Sequence, residues 1–289
     1  MPRLKHSLTA ALPEPETLDL AQLARDYAAG RCDLVVVLGP TASGKTRYAV
    51  GLAGEIRAAV ALGLFEGCPG RMTDGPGITG AEIISADSRQ VYRGMDIGTG
   101  KDLAEYGDVP YHLIDIADAG EQYNVWQFQQ DFLHAYADIR ARGAVPILCG
   151  GTGMYINAVT QGYDFSEKTP LSAAREALPR EGFPQKPFFI GTLVDRETRN
   201  ARIDARLDAR LQEGMVDEIR GLLERGVPAE TLISYGLEYK FVTLYLQGEL
   251  PYAEMREKLA IAIHQFAKRQ MTWWRGMERS GTVIHWVEV

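Results

Sequence analysis

Two rhythms of apolar residues divide the chain. Six short runs have the length and the β-branched or aromatic content of buried strands: LVVVL (34–38), EIISAD (82–87), YHLIDI (111–116), VPILCGG (145–151), KPFFIGTLV (186–194) and TVIHWVEV (282–289). Between them apolar positions return every three to four residues, which predicts amphipathic helices. These lie at 18–30, closed by Gly30, from Lys45 to about Leu62, and at 123–143, closed by Gly143. The stretch EGCPGRMTDGPGITG (66–80) is rich in Gly and Pro and reads as a loop. After Asp195 three helical stretches follow in succession, about 197–225, 235–247 and 251–279, before the last strand. Strands alternating with helices predict an α/β fold, a parallel sheet with helices on both faces. The expected organisation is an N-terminal helical extension (1–30), an α/β core (31–196) and a helical C-terminal part packed on it with a final strand (197–289).

Composition narrows the class. With 289 residues, 46% of them apolar and 24% charged, the chain can bury a sizeable core as one large or two small domains. No apolar run approaches the ~20 residues that span a bilayer, and the N-terminus has no charged-then-apolar leader pattern. The expectation is a cytoplasmic monomer without a membrane partner. Cys32, Cys68 and Cys149 show no C-x-x-C spacing and read as reduced thiols. A net charge of −7 excludes a protein that coats nucleic acid non-specifically. A local basic face is still available, since basic residues gather in HQFAKRQMTWWR (264–275).

The sharpest chemical signal is LGPTASGKT (38–46). Gly39, Gly44, Lys45 and Thr46 fit G-x-x-x-x-G-K-[ST], and Pro40, Thr41, Ala42 and Ser43 fill the loop between a predicted strand and a predicted helix. Glycines let successive backbone N–H groups turn toward an anion, and the helix that follows adds its positive end. Lys45 supplies a point charge, and the Thr46 hydroxyl can hold a Mg²⁺ that bridges two phosphates. The sheet is therefore expected to be P-loop NTPase-like, with a phosphate or diphosphate ligand. An acidic residue after an apolar strand would complete a nucleotide site. Asp87 and Asp115 both qualify, although Asp115 reads equally as a strand-end turn or cap. Asp87 opens DSRQVYRGMDIGTGK (87–101), which places Ser88, Arg89 and Gln90 beside it at the strand end where open α/β sheets bind ligands. A carboxylate there can serve as general base, and Ser and Gln can read the edge of a base.

Five stretches in order, GPTASGKT, DSRQVYRGMDIGTGK, YHLIDI, GGTGMYI and FAKRQMTWWR, resemble the tRNA dimethylallyltransferase (tRNA isopentenyltransferase) family over about residues 34–279. The resemblance implies transfer of a dimethylallyl group from dimethylallyl diphosphate to N6 of an adenosine next to the anticodon in tRNA, with Mg²⁺ as cofactor. It implies that the loop holds a leaving group. Asp87 then matches the general base, and Thr152 a threonine beside the reacting centre. Lys45 neutralises the departing charge. Ser88, Arg89 and Gln90 match acceptor-contacting residues, and Lys268 and Arg269 belong to a basic C-terminal motif facing RNA. Arg202 and Arg206, four apart on one helix, match residues that reach the diphosphate; each alone reads equally as an exposed charge pair with Asp204 or Asp208. Trp273 and Trp274 read as core rather than as stacking platforms.

Three places depart from the family pattern. Residues 160–186 are too short for the family's helical insertion, Glu238 replaces a glycine in LEYKF, and Ile263 and His264 stand where Thr and Arg are usual. These leave two alternatives open: transfer to a free adenine nucleotide, as in cytokinin-forming enzymes, and a P-loop small-molecule kinase.

Overall fold

In the computed structural model, residues 12–63, 77–165 and 181–289 are described. Cys68, most of the Gly/Pro-rich loop and residues 166–180 of the short insertion lie outside them. The strands β1 (Leu34–Leu38), β2 (Gly80–Ser85), β4 (Tyr111–His112), β6 (Ala144–Gly150), β7 (Pro187–Leu193) and β8 (Ile284–Glu288) form one sheet in the order β4-β2-β6-β1-β7-β8. Every pairing in it is parallel. All residues of β1 and β6 are buried, as expected of strands covered on both faces. Two-residue strands β3 (Tyr92–Arg93) and β5 (Ala117–Asp118) pair separately.

Helices cover both faces. On one side α1 (Leu20–Ala28) and α2 (Lys45–Ala61) bury Leu23, Tyr27, Leu52 and Ile56 against Val35, Val37, Ile83 and Ile147. Asp19 caps α1 by accepting from the Gln22 N–H at 2.9 Å. On the other side lie α3 (Val125–Ala141), opened by an Asn124–Gln127 capping box, and α4 (Gly153–Thr160). Phe128, Phe132, Tyr136 and Tyr155 pack there with Trp274 of α9 (Tyr252–Arg279). The α/β fold with flanking helices is as the sequence predicts.

Three boundaries differ. The predicted helix at 197–225 is two helices, α5 (Arg196–Glu213) and α6 (Met215–Glu224), because Gly214 takes φ +106° between them, a left-handed conformation that glycine adopts without steric cost. A short α7 (Ala229–Tyr235) precedes α8 (Leu237–Leu246), with the turn between them at Gly236. The YHLIDI run pairs only at Tyr111 and His112, because Leu113 (φ +62°) and Asp115 (φ +57°) leave the extended region. A third cluster, built by α5 to α9 around Leu207, Ile219, Leu232, Val242 and Leu259, packs on the small β3–β5 pair through Val91, Tyr92, Met95 and Ala117. No helix among the described residues is long and apolar enough to cross a membrane.

Candidate active site

Sheet order places the ends of β1, β2 and β6 side by side, and each end carries a loop with predicted chemistry. The loop after β1 is held from behind. The Ser43 hydroxyl lies 2.6 Å from Thr192 Oγ1 at the end of β7. A Cβ on Gly39 would fall 2.2 Å from that same oxygen, so a side chain there cannot fit without displacing it. Gly39, Pro40 and Ser43 accordingly sit behind the loop. Thr41, Ala42, Gly44, Lys45 and Thr46 line a cavity of about 790 Å³. Gly44 takes φ +81° and starts α2, so the helix N-terminus faces that space.

The β2 and β6 ends are locked together. Thr152 N–H donates to the Ala86 carbonyl at 3.2 Å, and Ser88 N–H donates to Thr152 Oγ1 at 3.1 Å. Gly150 must lack a side chain, since a Cβ would lie 2.3 Å from the Ala86 carbonyl oxygen. Asp87 Oδ1 accepts from Arg89 N–H at 2.9 Å, which fixes the carboxylate at the cavity wall. Gln90 donates to the Gly100 carbonyl at 3.2 Å. Thus Lys45, Asp87, Ser88, Arg89, Gln90 and Thr152 all border one space.

The helical part closes it. Arg202 and Arg206 on α5 face the cavity, while Asp208 pairs with Arg256 and Asp204 lies 3.0 Å from His264. The arginines therefore do not pair with those aspartates as spacing alone allowed, although Arg202 itself is exposed at the cavity wall. Arg269 lines the cavity; Lys268, exposed on the same helix, does not. Of the two tryptophans, Trp274 is wholly buried as predicted, but Trp273 is 38% exposed on the cavity wall. Asp115, the alternative acidic residue, turns away and pairs with buried Lys101, which also bonds Asp96 and the Tyr92 carbonyl.

Several residues that shape the site, on its wall or behind it, escaped the sequence. Gln270 accepts from Thr41 N–H at 2.8 Å and donates to the Gly151 carbonyl at 2.9 Å, joining the phosphate loop to the GGTG turn. Its signal was a polar residue in the buried row of α9, between Ala267 and Trp274. Glu218 accepts from the backbone N–H of Asp96, Ile97 and Gly98 and from Tyr239 OH, holding the turn that follows Gln90. Arg210 also lines the wall; it continues the spacing of Arg202 and Arg206 by one more turn.

Electrostatics follow burial. Desolvation pulls the Lys45 ammonium below the ordinary lysine value, against the pull of the Asp87 carboxylate. Burial pushes the Cys149 thiol up to about 12, which keeps it protonated. Both Cys32 and Cys149 are buried, and the Cys32 thiol donates to the Leu34 carbonyl at 3.4 Å. Burial also raises Glu238, although Arg210, Arg206 and Arg89 oppose it. A site with one carboxylate at a strand end, a phosphate loop and several arginines can bind a diphosphate and take a proton beside it.

Known proteins are similar to this chain. The family model described as IPP transferase matches residues 90–186 and 165–277. The tRNA dimethylallyltransferase 1 of Porphyromonas gingivalis is 46% identical over 305 residues, covering 88% of this chain and 93% of that one. The tRNA dimethylallyltransferase 1 of Geotalea uraniireducens is 44% identical, covering 89% and 93%. Among solved structures, the tRNA isopentenylpyrophosphate transferase of Bacillus halodurans superimposes with a TM-score of 0.71 at 29% identity, covering 89% of each chain. A second, from Staphylococcus epidermidis, gives 0.67 at 26%, covering 88% of this chain and 92% of that one. The alignment with the P. gingivalis relative has 305 positions, more than this 289-residue chain possesses, so part of the relative has no counterpart here. The two family-model segments meet over residues 165–186.

Proposed function

The chain belongs to the IPP transferase family, and from that footing we propose that it is a tRNA dimethylallyltransferase, moving a dimethylallyl group from its diphosphate to N6 of an adenosine beside the anticodon. The observation that carries this reading is the convergence of Lys45, Asp87 and Thr152, from three adjacent strand ends, on one cavity. In the reaction the bond between the allyl carbon and the diphosphate oxygen breaks, and its electron pair leaves with pyrophosphate. The amine nitrogen forms the new bond to carbon and gives its proton to Asp87. An exocyclic adenine amine is a poor nucleophile, so a positioned base contributes roughly 10²–10⁴-fold. Asp87, oriented by the Arg89 N–H, is that base. Lys45, the loop amides and Arg206 meet the charge that develops on the leaving group. Thr152, tied to Ser88, holds the acceptor wall in register with the donor loop. The acceptor base has to leave its stack to reach this cavity.

The donor set suits a magnesium ion. Among the described residues no cluster of three His, Cys, Asp or Glu forms a cation cage, but Thr46 and Asp87 both line the cavity. Mg²⁺ commonly keeps waters and binds through substrate phosphates plus one or two protein oxygens, so Thr46 would hold it together with the diphosphate. Bound there, it would add positive charge at the leaving oxygens.

A second reading concerns the acceptor. The family model matches this chain in two segments that meet over residues 165–186, and the shortness of the stretch between Thr160 and Pro187 favours weighing a free adenine nucleotide against tRNA. Incubation with labelled dimethylallyl diphosphate and tRNA, AMP or ADP decides it. Label in tRNA supports the proposal, and label in AMP or ADP alone replaces it with the free-nucleotide enzyme. ATP hydrolysis without transfer of label overturns both.

A further inference from the structure

Arg210 lies one helical turn beyond Arg206 on α5 and is only 9% exposed, on the wall of the same cavity. Among the described residues its Nη2 has no hydrogen-bond partner, and neither has Arg206 Nε. Neither guanidinium pairs with a carboxylate among the described residues. Both converge on one turn: a Cβ on Gly100 (φ +65°) would fall 1.5 Å from Arg210 Nη2 and 2.1 Å from Arg206 Nη2. Arg206, Arg210 and Glu238 also border a small hollow that Thr41 and Ala42 of the phosphate loop close. Burial first, and then the neighbouring Arg206, lower Arg210 to about 10.

Two guanidiniums side by side, Arg210 buried and Arg206 half-buried, with no carboxylate partner among the described residues, carry a desolvation cost that only an anion can offset. Planar forks of this kind match the oxygens of a phosphate two at a time. Glu238, whose carboxylate acts on Arg210, Arg206 and Arg89 together, offsets only part of that charge. A ligand with several anionic oxygens offsets the rest.

Resting on the transferase reading, we propose that Arg210 is a binding residue for the leaving diphosphate: with Arg206 it takes phosphate oxygens that the loop amides and Lys45 leave free, so the site encloses a diphosphate rather than a single phosphate. Glu238 tempers the arginine pair while the site is empty. When the allyl–oxygen bond breaks, the electron pair passes to an oxygen of a pyrophosphate that Arg210 already holds.

The test uses the full chain with inorganic pyrophosphate and inorganic phosphate as probes, read by calorimetric titration and by melting temperature. Arg210→Met keeps an unbranched apolar stem and removes the buried charge. Its empty form is expected to melt at or above the wild-type temperature, while pyrophosphate affinity falls roughly tenfold or more, the range for a lost hydrogen bond to a charged group. Phosphate affinity is expected to stay within about twofold. Glu238→Gln, which leaves every arginine in place, is expected to tighten pyrophosphate severalfold and decides the matter if Arg210→Met does not fold. Unchanged pyrophosphate binding in either variant, or an equal loss for phosphate and pyrophosphate in Arg210→Met, overturns the proposal. If the wild type also transfers dimethylallyl normally, only this proposal falls; a wild type that neither binds pyrophosphate nor transfers the group removes the transferase reading as well.

Discussion

Gln270→Met tests whether the two loops of the site act as one body. The substitution keeps length and volume and removes both hydrogen bonds that Gln270 makes, from Thr41 N–H at 2.8 Å and to the Gly151 carbonyl at 2.9 Å. The cost is uneven. Thr41 is only part-buried at the cavity edge and can recover a water, whereas Gly151 is buried and its carbonyl cannot. An orphaned buried polar group costs about 1–3 kcal/mol, and the Gly151 carbonyl alone sets the expected loss of stability at that level. For a chain of this size that is a drop of roughly 2–8 °C in melting temperature. Function should suffer more than stability, because misplacing reacting groups by about 1 Å can cost 10²-fold. Here the phosphate loop would no longer be indexed to Thr152. Scanning calorimetry gives the first quantity and single-turnover transfer of labelled dimethylallyl the second. Gln270→Glu is a useful companion: it keeps the bond from Thr41 N–H but sets an oxygen against the Gly151 carbonyl. A Gln270→Met protein with unchanged melting temperature and unchanged transfer rate would refute the idea that this side chain couples the loops.

Other consequences are as direct. Asp87→Asn should lower the transfer rate by about 10²–10⁴-fold while leaving pyrophosphate affinity near wild type; a near-normal rate removes Asp87 as base. Burial works to raise Glu82, but its hydrogen bonds with Arg142 and His112 prevail and hold it below the ordinary 4.5. A depressed carboxylate contributes stability above its unfolded pKa that is lost as pH falls through the folded value. The difference in urea midpoint between wild type and Glu82→Gln should therefore shrink as pH falls below about pH 4; a gap that persists in acid contradicts the pairing. Arg269→Ala, on the cavity wall, should reduce the salt slope of tRNA binding by about 0.7–0.9 log units, the value of one phosphate contact. The same change at Lys268, off the wall, should do so only if the RNA extends beyond the cavity mouth, and filter binding across a KCl series measures both.

Much of this molecule was legible because its strands are short apolar runs set between turn signals, with β1 and β6 buried along their whole length. Such runs can hardly be anything else, and the loop after β1 follows a spacing that phosphate geometry imposes. What escaped depends on backbone choices made in three dimensions. Gly214 splits a helix that periodicity drew as continuous, and Leu113 and Asp115 end a strand whose apolar run continues. In the site, Arg202, Arg206 and Arg210 could not be told from a surface charge row, since sequence does not say that Asp208 faces Arg256 instead. Trp273 and Trp274 are neighbours in sequence, and only the rotation of α9 decides which enters the core.

The last strand of the sheet has a consequence for how the protein comes together. β8 pairs with β7 alone, and α5 to α9 are the excursion between the two. Along the outer flank of β8, Glu16 N–H donates to the Trp286 carbonyl at 2.8 Å, so residues from near both ends of the described chain meet there. The sheet edge therefore cannot be completed until the whole helical excursion has formed and returned. Contacts this distant in sequence slow folding, because the loop must close before the pairing repays it. Peeling the helices away would in turn strip an edge strand and uncover β7. Denaturation of sheet and helical part is thus expected as a single cooperative event, with amides of α5 to α9 exchanging with solvent no faster than those of β7.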